Sequence, residues 1–140
     1  MKILLAVDGS RYTKKMLAYL TTHEDLFDGA HDFVALTVQA ALPARARVAV
    51  GKDVVDDYYR EEAEKVLKPV LTYLKRHQLK ARGEWKAGPA GEIIARCAAS
   101  GKFDLVMMGS HGQGALANLV MGSVATKVLA NCEIPVLLVR

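Results

Sequence analysis

Short apolar runs alternate with helix-length amphipathic stretches along the whole chain, and this alternation predicts an α/β fold with a parallel sheet and helices on both of its faces. Two further observations support it. The first, second, fourth and last runs are apolar on successive residues, as in strands covered on both faces. The segments between the five runs are long enough to hold crossovers, which parallel strands require. The common order for five such strands is 3-2-1-4-5 with right-handed connections.

The elements follow in order. Lys2 to Val7 reads as the first strand, closed by Asp8-Gly9-Ser10. Ser10 is a suitable N-cap for a helix carrying Tyr12, Met16, Leu17 and Leu20 on one face. Gly29 breaks the chain before a second strand over Phe33 to Val38. Residues Gln39 to Lys52 read as an irregular loop punctuated by Pro43 and Gly51. A long helical pattern follows from about Val54 to Gln78, striped by Tyr59, Ala63, Val66, Leu67, Val70, Leu71 and Leu74. Pro69 lies inside it; an interior proline costs a helix about 3 kcal/mol, so a kink or a division is expected there. Lys80 to Lys86, with charges interspersed, reads as a third strand at a sheet edge. Pro89 opens a helix over about Ala90 to Ser100, capped by Gly101. Asp104 to Met108 is the fourth strand. A helical run is expected from near Ala115, interrupted at Gly122-Ser123 and ending near Asn131. Pro135 to Val139 closes the chain as the fifth strand.

At 140 residues the chain fits a single domain with a real core, and no repeat, linker or low-complexity segment suggests a second. Apolar residues make up 51% and charged residues 24%, an ordinary globular balance. The start runs directly into a strand-like segment without a secretory pattern, which points to the cytoplasm. Leu105 to Thr126 carries no Lys, Arg, Asp or Glu, but its four glycines and its Ser, His, Gln and Asn make it too polar and broken to span a bilayer. Cys97 and Cys132 have no metal-site spacing and read as reduced thiols beside helices. The net charge of +4 comes from basic residues spread along the chain apart from Arg45-Ala46-Arg47, so a solvated surface is read rather than a nucleic-acid partner.

The chemistry concentrates in Gly109-Ser110-His111-Gly112-Gln113-Gly114 and in Gly122-Ser123. Two residues separate Gly109 from Gly112, and nine separate Gly112 from Gly122. A strand that ends in glycines and feeds a helix is a phosphate-site plan. The backbone turns tightly, brings bare N–H groups to an anion, and adds the positive end of a helix dipole. In the 3-2-1-4-5 order the winding reverses between strands 1 and 4, and ligands bind at the carboxyl ends of the strands flanking such a point. Asp8-Gly9-Ser10 and Gly109–Gly114 follow those two strands, so topology alone brings them together.

Other plans fit less well. Gly109 and Gly114 have P-loop spacing, but Ala115-Leu116 follow where Lys-Ser/Thr is needed. Gly112, Gly114 and Ala117 formally meet a dinucleotide fingerprint, but Glu133, the acidic residue at roughly the right spacing, precedes the last strand and falls at the wrong sheet end. A phosphoacceptor receiver domain would need an acidic pair after strand 1, where Asp8 stands alone, and an aspartate ending strand 3, where Lys86-Ala87-Gly88 stands. His111 has no evident partner acid or nucleophile in the sequence. The alternative reading of the glycines as packing residues explains Gly109 or Gly122 singly; it does not account for their clustering beside Ser110 and Ser123.

The glycine pattern, together with Ile3 to Asp8 and Pro135 to Val139, resembles the ATP-binding branch of the universal stress protein family, over the whole chain. The resemblance implies a Rossmann-like, adenine nucleotide alpha hydrolase-like fold and a nucleotide-binding regulator or sensor in a stress response. The alternatives are a slow ATP hydrolase and a dimeric interaction module without nucleotide. It further implies that Gly109, Gly112, Gly122 and Ser123 wrap the ribose and phosphates, with Ser110, His111 and Gln113 in the same turn and Val124 offering its backbone. Asp8 would lie by the nucleoside and hold a metal, Val38 would read the adenine edge, and Ala6, Val7 and Met108 would line the pocket. The ligand implied is ATP, or AMP or ADP, with Mg2+ or Mn2+ carried through the phosphates. Many relatives have Arg or Lys where Gln113 stands, so here backbone N–H groups, helix dipoles and metal must meet the phosphate charge. The uncharged stretch Ile134 to Val139, at a predicted sheet edge, implies a homodimer formed through the C-terminal strand.

Overall fold

The computed structural model describes residues 1–114 and 118–140. The element order is β1 (Lys2–Ala6), α1 (Arg11–Thr22), β2 (Asp32–Gln39), α2 (Ala44–Val50), α3 (Lys52–Arg76), β3 (Ala81–Ala87), α4 (Ala90–Ser100), β4 (Leu105–Gly109), α5 (Ser123–Asn131) and β5 (Val136–Val139). The five strands form one sheet in the order β3-β2-β1-β4-β5, parallel throughout. Ile3 stands opposite Phe33 on one side and Leu105 on the other, which places β1 in the middle.

The unbroken apolar runs of β1, β2 and β4 are explained by two cores, one on each face of the sheet. Successive side chains in a strand point to opposite faces. Ile3, Leu5, Val7, Phe33, Ala35 and Met107 pack with Met16, Leu17 and Leu20 of α1 and with Ala63, Leu67, Val70 and Leu74 of α3. Leu4, Ala6, Val34, Leu36, Val106 and Met108 pack with Ile94 and Ala98 of α4 and Ala125 and Val128 of α5.

Most expected boundaries hold to within a residue or two, the ordinary uncertainty of element ends. Three expectations are corrected, and a fourth falls partly outside the described residues. The loop expected over Gln39 to Lys52 contains α2, a helix with no buried residue, so it carries no core stripe by which periodicity could reveal it. Pro69 does not divide α3, which is one helix of 25 residues. Pro69 and Lys65 are both exposed, so the Lys65 carbonyl that loses its helical partner faces water. Tyr12 is half-buried; Thr13 takes the buried place on α1. The helix start expected near Ala115 lies outside the described residues; residues 118–122 are irregular, and α5 begins at Ser123. Among the described residues no helix is long and apolar enough to cross a membrane.

Candidate functional site

The winding of the sheet reverses between β1 and β4, and the segments leaving those strands meet over its carboxyl edge. Two glycines make the approach possible. A Cβ on Gly109 would lie 2.5 Å from Tyr12 Cβ, so only glycine lets β4 end against α1. A Cβ on Gly122 would lie 3.0 Å from His111 Cα and 3.2 Å from the Ser110 carbonyl oxygen. The Gly122 N–H donates to that carbonyl at 2.7 Å, which ties the start of α5 to the turn after β4.

Asp8 is held in one pose. Its Oδ1 accepts from the Ser10 N–H at 2.9 Å and from the Thr13 hydroxyl at 3.0 Å, while the Thr13 oxygen accepts from the Asp8 N–H at 3.0 Å. Oδ2 is turned toward Gly112, 2.7 Å from where a Cβ would stand. Gln113 reaches back across the gap, its Nε2 donating to the Asp8 carbonyl at 3.1 Å.

His111 is fully engaged within its own loop. Its Nε2 lies 2.7 Å from the Leu119 carbonyl, which can only accept, so Nε2 carries the proton. Nδ1 is then the acceptor for the Ser110 hydroxyl at 2.8 Å. Neither ring nitrogen is left to move a proton to or from a ligand, and the ring packs on Tyr12 with centroids 4.8 Å apart.

These segments enclose a cleft of about 400 Å³. Ala6, Val7, Asp8, Val38, Met108, Gly109, His111, Gly112, Gln113, Gly122, Ser123 and Val124 all line it. Ser110 does not: it is 2% exposed and serves the turn through its hydroxyl and carbonyl. The cleft also takes in residues that sequence reasoning missed, among them Thr13, Ala90, Ile94 and Leu119. Thr13 carried a usable signal, a hydroxyl in the first helical turn five residues after a strand-end aspartate. Ala90 and Ile94 carried none, since an alanine or isoleucine at the start of a helix looks the same whether it lines a cleft or a core.

The electrostatics are lopsided. Among the described lining residues Asp8 is the only carboxylate, and there is no Lys or Arg. What the cleft offers an anion is backbone. No side chain caps α5, and among the described residues no acceptor meets the N–H groups of Ser123, Val124 or Ala125. Such N–H groups, with the helix dipole behind them, form an anion site. The opposite wall, from Ala6, Leu36, Val38, Ala90, Ile94 and Met108, is apolar and suits a flat ring.

This is the glycine pattern on its predicted topology, and comparison with known proteins agrees. The model of the universal stress protein family matches residues 1–140. The chain belongs to the universal stress protein family. It is similar to a universal stress protein of Methanocaldococcus jannaschii, 30% identical over 141 residues, covering 99% of this chain and 81% of that one. Solved universal stress proteins share the fold at lower identity. UspA of Lactobacillus plantarum superposes with a TM-score of 0.80 at 17% identity, over 100% of this chain and 97% of that one. A family member of Arabidopsis thaliana with AMP bound gives 0.70 at 15%, over 99% and 90%. A universal stress protein of Archaeoglobus fulgidus in complex with dAMP gives 0.68 at 19%, over 100% and 98%. Some universal stress proteins of this fold therefore bind adenine nucleotides.

Proposed function

We propose that this universal stress protein binds an adenine nucleotide, ATP in the first place, in the cleft between Asp8 and Gly109–Gly114. It would act in the cytoplasm as a sensor or regulator in a stress response. The observation that carries the reading is the uncapped start of α5 held beside the glycine turn after β4, opposite an apolar wall. The AMP and dAMP complexes of similar proteins support the same ligand class. In this reading the base lies against Val38 and Ala6, Asp8 faces the ribose, and the phosphates meet the N–H groups of Ser123 and Val124 and the backbone at Gly112, with Gly122 beside them holding the turn to α5.

Asp8 Oδ1 is already committed to Ser10 and Thr13, which leaves Oδ2 for a ligand. Among the described residues no three-residue cluster of His, Cys, Asp or Glu could hold a metal by itself. A single carboxylate oxygen fits Mg2+ or Mn2+ that arrives largely coordinated by phosphates and water. The ion would offset phosphate charge where the cleft has no cationic side chain.

Calorimetric titration of nucleotide-free protein with ATP and magnesium tests the reading, beside a Gly122→Val variant. The parent binds and the folded variant does not, because a β-branched side chain would press on His111 Cα and the Ser110 carbonyl. A folded parent that binds neither ATP, ADP nor AMP would show that the glycines serve packing alone. Phosphate release abolished by Asp8→Ala would instead establish a slow hydrolase. The engagement of both His111 nitrogens argues against that histidine as its base.

The second part of the proposal is a homodimer through Ile134 to Val139. β5 is a sheet edge and bears no charge. Unpaired edges of this kind template the addition of another strand.

A further inference from the structure

We propose that α2 is a hinged strap that closes over the occupied cleft onto the rim at Leu119 and Val120, and that Arg45 is the cation it delivers to the outer phosphates of a nucleoside triphosphate. The proposal rests on the nucleotide reading above and adds to it the means of telling a triphosphate from a monophosphate.

In its present position α2 is weakly held. It has no buried residue, and Val48 is 85% exposed. Seven residues are too few for a helix to be stable without packing. With α3 it forms the walls of a shallow groove, lined by Arg47 and Val48 on one side and Val55 and Tyr59 on the other, and the preceding chain is latched by one hydrogen bond, Leu42 N–H to the Tyr59 hydroxyl at 2.8 Å. The C-terminal end suits a pivot: Gly51 takes a φ of 86° with nothing within 4 Å of a would-be Cβ. A few residues at element ends that absorb a large φ/ψ change are the usual form of a hinge.

Position and chemistry then point to the cleft. The strap leaves from the end of β2, where Val38 is part of the cleft wall. The six residues beyond Gln39, the last of β2, to Arg45 reach about 20 Å when extended. Val48 and Val50 on the strap are exposed, and so are Leu119, which lines the cleft, and its neighbour Val120, 77% exposed. Closure would remove both pairs from water. The cleft needs a cation and has none among its described lining residues. Arg45 makes no ion pair among the described residues. Guanidinium groups bind phosphate in a two-pronged fashion. Arg47 lines the groove on α3 and Arg45 does not, and residues two apart on a helix do not face each other.

The test compares ATP and AMP binding by the parent, Arg45→Ala and Arg47→Ala, with trypsin cutting after Arg45 and Arg47 as a second readout. Saturating ATP should slow cutting of the parent several-fold, and AMP should not. Arg45→Ala should weaken ATP about tenfold and lose the protection, whereas Arg47→Ala should bind both nucleotides within about twofold of the parent. ATP affinity unchanged in Arg45→Ala, or cutting indifferent to ATP in a parent that binds it, overturns the strap and leaves the nucleotide reading standing. A folded parent that binds neither nucleotide overturns both.

Discussion

Thr13 shows how much one hydroxyl can organise. It accepts from the Asp8 backbone and donates to the Asp8 carboxylate, so the free carboxylate oxygen faces Gly112. Thr13→Val keeps the shape, strands the Asp8 N–H and leaves Asp8 Oδ1 with the Ser10 N–H alone. We expect a loss of about 1–3 kcal/mol in urea unfolding, with weaker nucleotide binding, and recovery of both in Thr13→Ser. Gly109→Ala tests the neighbouring contact. Its methyl group would meet Tyr12 Cβ, and overpacking of this kind costs about 1–3 kcal/mol, to be read from the same unfolding curves. Cys97 titrates differently from a free thiol, because burial pushes its pKa up. The unfolded chain therefore releases this proton first as pH rises. Stability contributed by the protonated thiol falls through the alkaline range, and Cys97→Ala removes that part of the slope. Slower alkylation of Cys97 in the folded protein than in urea at the same pH is the direct check.

At the level of elements, α3 carries its proline on the solvent side. Pro69→Ala restores an N–H to bond the Lys65 carbonyl and lifts a steric conflict. We expect a higher melting temperature, worth at most about 3 kcal/mol. A variant no more stable than the parent would mean that α3 bends at Pro69 at no cost. α5 depends on a different end effect. Because Gly122 supplies no side-chain cap, the first N–H groups of α5 stay available, and the element is less stable by itself than a capped helix would be. Gly122→Ser would test this trade, but its Cβ would press on the turn at Ser110 and His111.

At the scale of the molecule, the uncovered edge of β5 is the next question. Val106 N–H donates to the Pro135 carbonyl, and Ser110 N–H to the Val139 carbonyl. In a strand the same side recurs at every second residue, so the outward backbone groups belong to Val136 and Leu138. Sedimentation at micromolar concentration should give the mass of two chains, and Leu138→Pro, which removes one outward N–H, should give one chain with its circular dichroism kept. A parent that sediments as a single chain would rule out the edge pairing.

The chain alone determined the strands, their parallel pairing, the two-faced core and the neighbourhood of the cleft. Each of these rests on a pattern of burial, and burial is written in the spacing of apolar residues: Ile3 to Val7 is apolar at every position, as a strand covered on both faces is, and all five are buried. Asp8 and the Gly109 turn could be brought together without coordinates, because strand order decides which loops share a sheet end. α2 left no signal because a helix that buries nothing needs no apolar stripe, and of the kink or division expected at Pro69 the division does not occur, since the orphaned carbonyl faces water. The tertiary structure alone decided that Ser110 is buried behind the cleft rather than lining it, that His111 is spent on Ser110 and Leu119, and that Thr13, Ala90 and Ile94 belong to the cleft. Hydrogen-bond partners and lining residues are set by distances between segments far apart in the chain, and no local pattern of residue types records those distances.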